Sequence, residues 1–169
     1  MRLVFLDIDG VLNSNKWINV RADALKKVED DIMAGGDGLT QAKLVFYDNY
    51  MIDPEAIEVL NTIIDRSKAA IVITSTWRVD RPIQAIATAF RRRGFKHSHA
   101  IIGCTPEIPD KKRGAEIQAW LDHVDGVEAF VVIDDDFIAE FEDHQVRTDF
   151  NHGLTPDHVG LVLEMLGVT

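Results

Sequence analysis

The chain has 169 residues, which suits one domain with a single sizeable core. Hydrophobic residues make up 46% and charged residues 27%. No apolar run approaches the roughly 18 residues of a membrane span, so no membrane partner is expected, and the lone Cys104 excludes an intrachain disulfide framework or a cysteine-rich metal site. The formal charge of −10 argues against broad duplex binding.

The first segment, Met1 to Leu6, is charged and then apolar. It reaches Asp7 and Asp9 too soon for a signal peptide, and no small-residue cleavage site follows. It reads as a buried strand over 2–8 in a cytoplasmic protein. Residues 13–52 read as irregular, with Gly35, Gly36 and Gly38 marking a loop. Asp53-Pro54-Glu55 starts a helix, with Asp53 as N-cap and Pro54 at the first helical position. Ala69–Thr74 reads as a second strand, and residues 81–93 as a helix with Gly94 just past its end. A short strand over 98–102, a helix over 113–123, a strand over 129–133 and a weak strand over 144–149 follow. The last helix spans 155–166, capped by Thr155 before Pro156. Strands alternating with helices imply a parallel sheet covered on both faces.

Charge is unevenly spread along this pattern. Residues 66–113 hold eleven Lys or Arg against three acids, a net of +8. Such a segment suits local attraction of an anion, or is a solvated helix face at Arg91, Arg92 and Arg93.

Two strands end in carboxylates, Asp7-Ile8-Asp9 and Asp134-Asp135-Asp136, and a third in hydroxyls, Thr74-Ser75-Thr76. In a parallel sheet these ends share the edge at which open α/β proteins bind ligands. Carboxylates converging there repel one another unless a cation sits among them, and oxygen ligands select a hard ion such as Mg²⁺. Hydroxyls and a nearby Lys or Arg could hold phosphate oxygens. These are the parts of metal-assisted phosphoryl transfer.

In this arrangement the sequence resembles the haloacid dehalogenase-like (HAD) superfamily. Asp7-Ile8-Asp9-Gly10-Val11 matches its first motif, Ile73-Thr74-Ser75 its second, and Val132-Ile133-Asp134-Asp135 its fourth. The resemblance implies a Rossmann-like three-layer sandwich and an aspartyl-phosphate mechanism. Asp7 would be the nucleophile. Asp9 would be the acid and base, with its backbone carbonyl in the metal shell. Gly10, Thr74 and Ser75 would lie against the phosphate, and Asp135, with Asp134 nearby, would bind Mg²⁺. Asp136 reads as an N-cap. The third motif, a cation at the head of a helix, falls on Arg113 in Arg113-Gly114-Ala115-Glu116-Ile117 or on Lys112 beside it.

A narrower resemblance runs through Ser75-Thr76-Trp77-Arg78, Thr105-Pro106, Arg113-Gly114, Trp120-Leu121 and Asp134-Asp135-Asp136. It points to HAD domains grouped with RNA-repair proteins. Arg78 would reach a second phosphate or a nucleobase, or form a strand-end salt bridge. Trp77 and Trp120 read as core. About 40 residues, 13–52, leave room for a flap and a small insertion but not for a full cap domain, so the chain reads as one domain with minimal or no cap. The expectation is a Mg²⁺-dependent phosphomonoesterase acting on a nucleotide or a polynucleotide end. The alternatives are a small-metabolite phosphatase, with residues 14–52 as a lid, and a non-catalytic binding module.

Overall fold

The structure is a computed structural model, and it describes residues 1–22, 26, 51–109 and 112–168. Strand β1 (Arg2–Leu6) is apolar after its first residue. Alternation along it sends Leu3 and Phe5 to one side of the sheet and Val4 and Leu6 to the other, all four fully buried. A strand with two apolar faces needs cover on both, and the remaining elements supply it.

β1 lies at the centre of a five-stranded sheet with β2 (Ala70–Ile73), β3 (Ile101–Cys104), β4 (Ala129–Asp134) and β5 (Gln145–Arg147). The strand order is β3-β2-β1-β4-β5, and every pairing is parallel. Leu6, the last residue of β1, stands beside Ile73 of β2 and Ile133 of β4.

Five helices are named here: α1 (Pro54–Ser67), the short α2 (Trp77–Asp80), α3 (Ile83–Arg92), α4 (Arg113–Leu121) and α5 (Asp157–Met165). α1, α3 and α5 bury Ile57, Leu60, Ile86, Phe90 and Val162 against the Val4 and Leu6 side. α4 and the 3-10 turn at Ala139–His144 bury Ile117 and Phe141 against the Leu3 and Phe5 side. Phe5 meets Trp120 and Phe130 edge-on, at ring separations of 5.7 and 5.9 Å. The result is the expected α/β, Rossmann-like, three-layer architecture.

Local signals explain most boundaries. Asp53 accepts the Glu55 amide at 2.8 Å and caps α1, with Pro54 following. Gly94, at φ +100°, closes α3 in a conformation that L side chains rarely adopt. The helix expected over 81–93 is α3, with Pro82 in extended conformation at its N-cap, and the short α2 before it was not expected. Three expectations need correction. The strand expected over 98–102 begins with a 3-10 turn at Ser98–Ala100 and runs Ile101–Cys104. Thr155 does not cap α5 from the N-cap position, which Pro156 occupies; its amide donates to His158 Nδ1 at 3.0 Å instead. Residues 15–22 are helical where an irregular stretch was expected. The Gly35, Gly36 and Gly38 loop, and most of the expected flap, lie outside the described residues.

Among the described residues no helix is long and apolar enough to cross a membrane.

Candidate active site

The carboxyl edge of the sheet carries a row of polar residues, one per strand. Four of them continue the backbone ladder by one rung beyond their strands, and the fifth, Asp134, is the last residue of β4. The Asp7 amide donates to Ile133 O, Thr74 to Leu6 O, Thr105 to Ile73 O and Thr148 to Asp134 O, all at 2.9–3.0 Å. The row therefore reads Thr105, Thr74, Asp7, Asp134, Thr148 in the order of the strands.

Asp7 is at the middle of the row and is 4% exposed. Its Oδ2 lies 3.1 Å from Arg113 Nη1, and its Oδ1 is buried without a hydrogen-bond partner. Burial pushes the Asp7 carboxyl up to about 7, against the pull of Arg113 and with a further push from Asp134. Arg113 begins α4 and also bonds Asp134 Oδ2, so one guanidinium nitrogen bridges two carboxylates. The other Asp134 oxygen accepts the Asp136 amide at 3.0 Å. Next to Asp7, the Thr74 hydroxyl is buried and unpartnered. Ser75 is fully buried, and its Oγ lies 3.4 Å from the Trp77 amide.

Asp9 is held differently. Its Oδ1 accepts from Asn13 Nδ2 at 2.7 Å and its Oδ2 from Trp77 Nε1 at 3.1 Å. Trp77 thus has a contact that a purely core reading of it did not include, and the Arg81 guanidinium sits 4.4 Å from the centre of its ring. Asn13 and Trp77 are site residues that sequence reasoning missed. A separation of 68 positions in the sequence, from Asp9 to Trp77, leaves no local pattern to read. Asn13, four residues after Asp9, follows from the tight turn in which the Val11, Leu12 and Asn13 amides all point at Ile8 O.

Four further residues take definite places. The Gly10 amide donates to Asn13 Oδ1 at 3.0 Å. What its position requires is the missing side chain: at φ +73° a Cβ there would lie 2.4 Å from Asp135 Cγ. Arg78 takes the strand-end salt-bridge alternative. Its guanidinium donates to Thr105 O, Thr74 O and Ser75 O and pairs with Glu116 Oε2 at 2.6 Å, the two side chains being 6% and 10% exposed. Asp136 caps no helix: the 3-10 turn that follows has Ile138 at its N-cap, with no side-chain cap bond. Lys112 is exposed at the N-cap of α4, and Arg113, not Lys112, is at Asp7.

Four of the described cations of the basic middle go to separate places. Arg78 is buried, Arg113 is in the site, and Arg93 donates to Ile52 O and lies over Trp17. Lys96 pairs with Glu58.

Asp7, Asp134 and Asp135 each place an oxygen within 4.8 Å of the others. The donor set is made of carboxylate oxygens alone, which fits a hard divalent cation. Burial raises the Asp134 and Asp135 carboxyls as well, as expected of acids crowded at a site that a cation would relieve. Asp134 has both oxygens engaged, by Arg113 and by the Asp136 amide, so the oxygens best placed for an ion are those of Asp7 and Asp135. The Asp9 carboxylate, held by Asn13 and Trp77, is outside the cluster.

A central aspartate at the carboxyl edge of a parallel sheet, bridged by Arg113 to a second acid and flanked by a buried hydroxyl, defines the phosphotransfer type of α/β domain. Residues 3–159 match the family described as the HAD domain in Swiss Army Knife RNA repair proteins, and the chain belongs to that family. Neither a curated protein nor a solved structure matches the chain. Membership supports a HAD-type, phosphatase-like hydrolase with a divalent metal and a nucleic-acid-related phosphorylated substrate.

Proposed function

We propose that the chain is a Mg²⁺-dependent phosphomonoesterase that works through an aspartyl phosphate on Asp7, acting on a nucleotide or a polynucleotide end. The observation that carries this is the asymmetry of the Asp7 carboxylate. One oxygen is anchored by Arg113, and the other is buried and unpartnered beside an equally unpartnered Thr74 hydroxyl. An oxygen held in orientation by the anchoring of its twin is what a nucleophile requires. RNA-repair family membership supports the substrate class.

In the first step Asp7 Oδ1 bonds to phosphorus, the ester P–O bond breaks, and Asp9 gives its proton to the departing oxygen. In the second, Asp9 takes a proton from water as that water attacks phosphorus. The bond to Asp7 then breaks and inorganic phosphate leaves. Asn13 and Trp77 hold the Asp9 carboxylate between these transfers, while Thr74 and Ser75 donate to phosphate oxygens. Arg113 keeps Asp7 oriented and offsets the charge of the incoming phosphate. A bound Mg²⁺, held by Asp7, Asp135 and the Asp9 backbone carbonyl, supplies Lewis-acid stabilisation of the phosphoryl oxygens. The chain acts as one catalytic domain.

The direct test is phosphate release from an aryl phosphate with Mg²⁺, followed by a panel of mononucleotides and 3′- and 5′-phosphorylated oligonucleotides. Turnover is expected for the aryl ester, with higher kcat/KM for the nucleotide esters. Failure to release phosphate from every member would end the phosphomonoesterase reading.

The cation has its own signature in pH. The folded-state carboxyl of Asp7 is raised, so between the ordinary carboxylate range and about pH 7 the folded chain binds more protons than the unfolded one. Without metal, this group's effect makes stability fall as pH rises across that window. A cation that binds the ionised cluster reverses the loss. At a hundredfold excess over Kd, Mg²⁺ should add about 2.7 kcal/mol at pH 8, and much less at pH 5. Asp135→Ala should remove most of the gain. Equal Tm shifts at the two pH values would refute the assignment.

A further inference from the structure

A cleft of about 530 Å³ opens beside Arg113, between the start of α4, the 105–109 segment and the turn that follows Asp134. Its size is that of a pocket for a small organic ligand. Val79, Ile108, Pro109 and Phe137 line it. Phe137 is 55% exposed and Val79 49%, so two of these apolar side chains face water unless something covers them. Phe137 lies two residues beyond Asp135, at the margin of the acidic cluster.

The charges around the cleft restrict what can enter. Apart from Arg113 and the Arg78–Glu116 pair, the charged residues lining it are Lys112 against Glu107, Asp136 and Glu140. The Glu140 carboxylate is seated against the first turn of α4, where a Cβ on Gly114 would lie 2.6 Å from Glu140 Cδ. Three carboxylates to one ammonium repel a run of backbone phosphates. They accept hydrogen bonds from exocyclic amino groups, and an exposed aromatic ring offers a stacking face to any base.

We propose that this cleft receives the nucleoside that carries the phosphate, its base stacked on Phe137 and its phosphate directed past Arg113 to Asp7. This rests on the phosphomonoesterase reading. It deepens that reading by assigning recognition to the terminal nucleoside and not to the phosphates of a polynucleotide body. Phe137 is then a specificity-determining residue.

Two readouts keep the proposals separate. The first is binding of 2-aminopurine nucleoside 3′- and 5′-phosphates, whose fluorescence is quenched on stacking. Quenching is expected with the parent chain and with Phe137→Tyr. Phe137→Ala and Phe137→Leu should weaken binding roughly five- to 150-fold, the range for loss of one base–aromatic stack. The second is the ratio of kcat/KM for a nucleoside phosphate to that for ribose phosphate, which has no base; it should fall by a similar factor in Phe137→Ala. Phe137 is exposed, so these variants should keep the parent's melting temperature, and that check accompanies each measurement. Equal binding by the parent and Phe137→Ala would overturn the proposal. So would full function in Phe137→Leu, which keeps apolar bulk without a ring. If nucleoside and ribose phosphates are hydrolysed alike, the cleft assignment fails while the phosphatase reading stands. If no ester is hydrolysed, the phosphatase reading fails, and the quenching series alone decides the cleft.

Discussion

Replacing Asp7 by Asn is expected to remove turnover by roughly 10⁴- to 10⁶-fold, the scale seen when a covalent nucleophile is lost, while the folded chain becomes more stable. The amide is nearly isosteric but cannot displace an alkoxide from phosphorus. The stability gain follows from the physics of the site. Burial pushes the Asp7 carboxyl to about 7, so above that pH the ionised group is held at a cost in the metal-free protein. Asn carries no charge to bury, and Arg113 keeps Asp134 as its partner. The measurement is a thermal melt of both chains at pH 8 without divalent metal, alongside single-turnover kinetics with Mg²⁺. Turnover within tenfold of the parent, with back-reaction of Asn to Asp excluded by mass spectrometry, would remove Asp7 as nucleophile. A large loss of stability would show that the ionised carboxylate holds the sheet edge together.

Much of that site could be read from residue order. Apolar runs that stop at Asp7, Thr74 and Asp134 announce strand ends, and a parallel sheet puts such ends on one edge. The cation at the head of α4 was narrowed to two neighbours. Geometry separates them, because Lys112 is the N-cap and Arg113 the first helical residue, turned toward Asp7. Contacts that join distant segments through side-chain tips were not legible. The Trp77 indole on Asp9 is one. The seat of Arg78 is another: position four after Thr74 suits either a solvent-facing arm or a buried clamp, and only the placement of Glu116 and three carbonyls decides. The helix at 15–22 was hidden by reading a glycine-rich stretch as a whole.

Arg78→Ala is expected to lower stability by about 3–5 kcal/mol, the range for removing one partner of a buried ion pair. For a chain of this length that corresponds to a fall in Tm of roughly 6–20 °C. Three carbonyls at the ends of β2 and β3 lose their donor, and Glu116 keeps a charge in a 10% exposed setting beside the Ile108 amide. The double variant Arg78→Ala, Glu116→Gln should recover part of the loss, since the uncompensated charge is gone. A Tm within a degree or two of the parent, together with a raised KM for oligonucleotide esters, would return Arg78 to the substrate.

The extra rung that four of the five strands add beyond their ends has a mechanical consequence. The amides of Asp7, Thr74, Thr105 and Thr148 are bonded to the neighbouring strands, so the reactive row cannot be displaced piecemeal. Moving the Asp7 backbone means parting β1 from β4, an event close in cost to unfolding the domain. This edge is therefore as stiff as the sheet, and in the proposed reaction the backbone, with nowhere to relax, would add little reorganisation energy to either phosphoryl transfer. Any motion needed to admit substrate or release phosphate falls to side chains and to segments outside the ladder. In such a design mutations can retune what is bound without loosening the geometry that reacts.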